Sequence, residues 1–128
     1  STLNKCEYCI EHHFAGLKRL LNDDKKATQI RSAIDTNKIE EAPLENCQKT
    51  AMEYARKLTH NPGSIREESI EKLRADGYTD GEILEINQVC AYFSYANRTV
   101  LGLGCSTKGD ILGLSPNNND DPNDWGHS

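Results

Sequence analysis

Residues 6 to 13 read Cys6-Glu7-Tyr8-Cys9-Ile10-Glu11-His12-His13. This is a C-x-x-C with a histidine four positions after the second cysteine. On a helix, residues i and i+4 lie one above the other, and i and i+3 are neighbours on the same face. A helical reading therefore stacks Cys9 and His13 across one turn and sets Cys6 beside Cys9. A dithiol and a titratable base then share one turn.

Three chemistries fit that spacing. The first is a redox dithiol. The N–H groups and macrodipole of a helix N-terminus favour thiolate and lower a cysteine pKa from its free value of about 8.5. A thiolate attacks peroxide oxygen or a disulfide, and the neighbouring thiol closes a disulfide before over-oxidation. His13 is placed to take the thiol proton or to give one to a leaving oxygen. The second is zinc, held by Cys6, Cys9 and His13, with Cys47 or His12 as a fourth ligand. Structural zinc sites usually join two such clusters, and the sequence has no second C-x-x-C. The third is plain packing of two small hydrophobes. Polar flanks and a histidine in register weigh against it.

The other titratable and aromatic residues have plainer readings. Cys47 and Cys90 fall on apolar helical stripes and read as core thiols. Cys105 follows Gly104 at the edge of a tail. His12 reads as exposed beside the dithiol or as a subunit contact, and His60 and His127 as solvated. Tyr92, Phe93 and Tyr95 fit core packing first and a pocket or interface second. Arg98 is expected to pair with an acid, within the chain or across subunits. The five cysteines are an odd count in 128 residues. Only two of them are closely spaced, which fits a reducing cytosol better than a secreted disulfide scaffold.

The elements that must position this motif read as helical throughout. No segment shows sustained alternation with β-branched enrichment. A first helix is expected from about Cys6 to Leu21, with Cys9, Phe14, Leu17, Leu20 and Leu21 as its apolar stripe. Asn22-Asp23-Asp24 ends it and caps a second helix near Lys25 to Asp35, which carries Ala27, Ile30, Ala33 and Ile34. Pro43 suits the start of a third helix with Cys47, Ala51, Tyr54, Ala55 and Leu58. Asn61-Pro62-Gly63 breaks it. Ser64 with Glu67 resembles a capping box for a short helix carrying Ile70 and Leu73, and Gly77 suits a left-handed C-cap. Thr79 with Glu82 repeats the box. The helix that follows, with Ile83, Ile86, Val89, Cys90, Phe93, Ala96 and Val100, is expected to be the central core helix. A helical domain over residues 1–103 is expected, then an irregular tail over 104–128, with Trp125 docked on the body or a neighbouring subunit.

Bulk properties set the outer limits. A chain of 128 residues with 36% hydrophobic and 27% charged residues is one ordinary domain with a real core. Its net charge of −5 argues against nucleic acid, which needs a concentrated basic surface. No run approaches membrane-spanning length and no signal-peptide pattern opens the chain, so a soluble, cytoplasmic protein is expected. Ser1 at the first position suggests a trimmed form of something longer.

A thioredoxin-like dithiol would sit in a strand-rich βαβ context. On a helical scaffold, Cys6-x-x-Cys9-x-x-x-His13 instead resembles the active-site signature of the alkylhydroperoxidase D-like (AhpD-like) family of the carboxymuconolactone decarboxylase superfamily. Asn4-Lys5-Cys6-Glu7-Tyr8-Cys9 running into His12-His13 is similar to its peroxidase-related subgroup. So, in order and spacing, are Lys57-Leu58-Thr59, Leu73-Arg74-Ala75-Asp76-Gly77-Tyr78-Thr79-Asp80, Glu82-Ile83-Leu84, Ala91-Tyr92-Phe93 and Asn97-Arg98. The likeness runs over residues 4 to 115.

The resemblance implies an all-α, AhpD-like helical bundle that lacks the N-terminal helices of the full family fold. It implies a thiol peroxidase cycle, with Cys9 as peroxidatic cysteine, Cys6 as resolving cysteine and His13 as proton relay. The implied partners are an organic hydroperoxide, a protein or lipoyl thiol reductant, and further copies of the chain. No cofactor, metal, nucleic acid or membrane is implied. The family pattern also places a relay glutamate about a dozen residues before the first cysteine. Only five residues precede Cys6 here, and Glu7 and Glu11 are not positional substitutes. Two other functions stand beside this one. Superfamily relatives that decarboxylate a muconolactone generally lack the C-x-x-C, which counts against that reaction. The other is a non-enzymatic oligomeric module with a vestigial or zinc-binding dithiol.

Overall fold

The computed structural model describes residues 1–113. Five α-helices follow one another: α1 (Glu7–Leu21), α2 (Asp24–Asp35), α3 (Asn46–His60), α4 (Glu67–Ala75) and α5 (Asp80–Gly102). Short 3₁₀ turns at Ile39–Glu41 and Pro62–Ser64 flank α3. There is no strand among the described residues, and the fold is all-α. No described helix is long and apolar enough to cross a membrane.

Local chemistry sets most of the boundaries. Asn22 takes the left-handed conformation at φ 47° and closes α1 through its N–H to the Lys18 carbonyl. Asp23 caps α2, its Oδ1 accepting from the Lys26 N–H at 2.9 Å. Thr79 and Glu82 form the expected box at α5. The Thr79 N–H donates to Glu82 Oε2 at 2.8 Å, and Thr79 Oγ1 accepts from the Glu82 N–H at 3.3 Å. Gly77, at φ +97°, turns the chain out of α4. Its N–H reaches the Arg74 carbonyl and the Tyr78 N–H reaches that of Leu73, at 3.0 and 3.1 Å.

Two boundaries differ from the sequence reading. Ser64 does not cap α4. It lies in the Pro62–Ser64 turn and donates its hydroxyl to the Asn61 carbonyl at 2.7 Å, so Arg66 takes the N-cap position. Pro43 lies upstream of α3, where Glu45 is the N-cap and its N–H donates to Gln48 Oε1 at 3.0 Å.

Apolar burial collects where α3, α4 and α5 meet. Tyr54, Leu73 and Ile83 form a cluster, flanked by Ala51, Leu58, Ile65, Ile70, Tyr78 and Ile86. Burying a leucine such as Leu73 completely contributes about 1.5–3 kcal/mol. The Tyr54 hydroxyl is satisfied by Asn87 Nδ2 at 2.9 Å. The other buried apolar residues are Cys6, Cys9, Ala27, Ile30, Ala33, Ile39 and Ala42. Arg31 on α2 ties down α1. It donates to Glu11 Oε1 at 2.6 Å and lies 4.6 Å from the Phe14 ring centroid.

α5 touches α1, α3 and α4, as a central helix should, but its core face is narrow. Only Ile83 and Asn97 on it are buried. Leu84, Val89, Tyr92, Tyr95 and Leu101 are exposed, as is Leu103 just past its end. Val89, expected in the core stripe, therefore faces outward, as does Leu20 on α1. Beyond α5 the described chain is irregular and returns along α1. Arg19 Nη1 donates to the Gly113 carbonyl at 2.6 Å. Gly113 lies so close to α1 that a Cβ there would stand 2.7 Å from the Gly16 nitrogen. Trp125 and His127 fall outside the described residues.

Candidate active site

The site forms at the start of α1, where Cys6 is the N-cap and Cys9 stands one turn in. The entry is tight. Lys5 adopts φ 54°, and the Cys6 N–H donates back to the Ser1 carbonyl at 3.2 Å. The Cys6 carbonyl accepts from Ile10 at 3.0 Å, which starts the helix. The two sulfurs stand 3.0 Å apart in hydrogen-bond contact. Both are free thiols, with Cys6 at 0% and Cys9 at 5% exposure.

Burial changes the electrostatics expected from the sequence. A helix N-terminus favours thiolate, but here the net direction is the opposite. Desolvation pushes the Cys9 thiol above its ordinary pKa, the adjacent Cys6 thiol adds to the rise, and the Asn97 amide opposes it. The dipole is worth up to about 2 kcal/mol in a partly buried geometry, and here it loses to the cost of a buried charge.

His13 packs its ring edge-on against Phe93 of α5, with centroids 4.6 Å apart. Desolvation by this packing, and then the nearby His12, push its imidazole below the ordinary value. His13 as a whole is nonetheless exposed to solvent. The structure thus puts Cys9 and His13 on α1 and Cys6 at its N-cap, with direct contact between the two sulfurs only. No hydrogen bond joins His13 to either thiol among the described residues.

The secondary candidates sort differently. His12, read as exposed, is half-buried. It stacks on Tyr8 at 4.6 Å, and its Nε2 pairs with Asp110 Oδ2 at 3.1 Å where the chain returns over α1. Glu11 is held by Arg31, whose hydrogen bond keeps its carboxyl below the usual range, so it is not a stand-in relay. Cys90 is half-buried and contacts Thr59 Oγ1 at 3.2 Å and the Ala55 carbonyl at 3.5 Å. Cys47 is also half-buried, and Cys105 and His60 are exposed. Within the chain, Arg98 donates to the Ser94 carbonyl of its own helix at 2.6 Å. No group of three His, Cys, Asp or Glu residues that could hold a metal occurs among the described residues.

One residue of the site was not singled out from sequence. Asn97 is fully buried on α5 and bonds to Asn4 and Ser1, which precede the dithiol. Its signal was legible. It follows Phe93 by four residues, so a polar amide stands on a face that is otherwise apolar.

No family model matches the sequence, and no curated protein matches it. Among solved structures, the crystal structure of an alkylhydroperoxidase AhpD core matches it with a TM-score of 0.67 and 22% identity. That protein is an uncharacterized peroxidase-related protein from Ralstonia eutropha JMP134. The match covers 91% of this chain and 54% of that one, so this chain spans about half the length of its structural neighbour. The helical arrangement of this chain is an AhpD-like fold.

Proposed function

We propose that this chain is a thiol-dependent peroxidase-like oxidoreductase that reduces organic hydroperoxides through Cys9 and Cys6. The observation that carries the reading is the 3.0 Å separation of the two sulfurs at the start of α1. The Cys9 thiolate attacks the terminal peroxide oxygen, forming an S–O bond as the O–O bond breaks. The alkoxide leaves and is protonated to the alcohol. His13 takes the thiol proton and supplies that proton through water or the substrate itself. Cys6 then attacks the Cys9 sulfenic acid, an S–S bond forms, and water departs. An external protein or lipoyl dithiol returns two electrons and two protons. The cycle uses no metal, haem or flavin.

Five free thiols support a reducing, cytoplasmic setting. The apolar side chains that α5 leaves exposed support assembly into a homo-oligomer. The test is consumption of an organic hydroperoxide with a dithiol reductant. Cys9→Ser should abolish turnover, and Cys6→Ser should accumulate the Cys9 sulfenic acid or a mixed disulfide. Undiminished consumption by Cys9→Ser would sink the assignment.

A further inference from the structure

An amide buried in an apolar helix stripe costs folding energy unless its polar atoms find partners. Asn97 is the one buried polar residue among those described, and it exposes no surface. Its Oδ1 accepts from Asn4 Nδ2 at 3.0 Å, and its Nδ2 donates to Ser1 Oγ at 3.1 Å. Nδ2 carries two hydrogens, and Ser1 takes one.

Helix register places the second. His13 meets Phe93. Cys9 lies one turn before His13 on α1, and Asn97 lies one turn after Phe93 on α5. Two helices passing in opposite directions then set Cys9 against Asn97. The Asn97 amide is also among the groups that draw the Cys9 thiol's pKa down, against the larger upward push of desolvation.

We propose that Asn97 is a positioning residue of the dithiol centre, pinning the turn that leads into Cys6 and holding an amide N–H against the Cys9 sulfur. The role deepens the peroxidase reading, because it concerns the same nucleophile. A fixed donor beside a desolvated sulfur stabilises its anion without solvent reorganisation. The same amide explains how the entry turn stays closed over the thiols, since Asn4 and Ser1 are both tied to it.

The titratable groups facing Cys9 are Cys6 and the Ser1 α-amino group, with His13 one turn along α1. All are retained in the variants that test the proposal. The reduced full chain is treated with iodoacetamide across the alkaline range, and the Cys9 peptide is followed by mass spectrometry. Asn97→Leu keeps an apolar side chain of similar size and removes the donor. It should raise the midpoint of the Cys9 profile by about one pH unit, a tenfold loss of thiolate at fixed pH. Asn4→Ala frees one side of the amide and leaves α5 intact, so it should raise the midpoint by less.

Circular dichroism establishes parental helicity for each variant. A parental midpoint in folded Asn97→Leu overturns the proposal. Where that variant does not fold, a parental midpoint in Asn4→Ala overturns it instead. Alkylation needs no peroxide. A shifted midpoint in a chain that consumes no hydroperoxide would therefore refute the peroxidase reading and leave the role of Asn97 standing.

Discussion

Raising the pH separates the two forces that act on Cys9. The helix N-terminus favours its thiolate by up to about 2 kcal/mol in a partly buried geometry, and one pKa unit corresponds to about 1.4 kcal/mol. The dipole therefore lowers the thiol by no more than about 1.5 units. Against it stand a sulfur that is 5% exposed and a second sulfur at 3.0 Å. The net direction is upward. An ordinary thiol of pKa about 8.5 is roughly 3% thiolate at pH 7, so Cys9 starts below that fraction. Its iodoacetamide rate should climb about tenfold per pH unit and still be rising past about pH 8.5. The shape of the profile is the readout, because burial also slows access. The exposed Cys105 provides an internal reference for an accessible thiol in the same digest. A Cys9 profile that levels off below about pH 8 would show that the helix terminus outweighs burial. It would refute the dominance of desolvation at this sulfur.

Two further predictions concern His13 and Leu73. The folded state resists protonation of His13, so its depressed value contributes stability above the unfolded imidazole pKa of about 6.5. That stability is lost as pH falls through the folded value. The parental melting temperature should therefore drop more between pH 7 and 5 than that of His13→Ala, and equal drops would remove His13 as the source. Leu73 is fully buried in the Tyr54–Ile83 cluster. Leu73→Ala should cost about 2–5 kcal/mol in urea unfolding, and a loss below about 1 kcal/mol would mean that the cluster collapses around the cavity.

The sequence was most legible where a side chain bonds to backbone within a few residues. Asn22, Asp23, Gly77 and the Thr79–Glu82 pair all mark boundaries that the structure keeps. Ser64 misled because the same local signal admits two partners. Its hydroxyl satisfies Asn61 instead of an α4 N–H, an outcome that the Pro62-Gly63 turn decides. The dithiol contact was legible because i and i+3 spacing brings an N-cap cysteine and one in the first turn together. Its electrostatics were not. Whether a helix terminus lowers or burial raises a thiol depends on what covers it, and that cover comes from residues 1–5 and from α5. The exposed reading of His12 failed for the same reason, since its partner Asp110 lies 98 positions away. Periodicity on α5 identified an apolar surface but could not say which part of it this chain covers. Val89 and Ile83 carry the same signal and have opposite burial.

Two of the three titratable groups in the proposed cycle are pushed in opposite directions by one cause. Desolvation raises Cys9 and lowers His13. Near neutral pH, thiol and imidazole are therefore both uncharged, and the two hold no standing ion pair. This matters for selectivity. The thiolate is the reactive form, so a resting thiol is spared from stray oxidants that approach without displacing its proton. Charge develops at the Cys9 sulfur only as an oxidant is attacked. At that moment a neutral imidazole can accept the proton, and the Asn97 amide is already in place against the sulfur. Such donors count most in the transition state, where a mismatch would lower turnover more than binding. Once Cys9 is oxidised, a Cys6 sulfur within 3.0 Å reaches it at an effective concentration that no second peroxide can match. The contact that raises the resting thiol is the one that ends its exposure to over-oxidation.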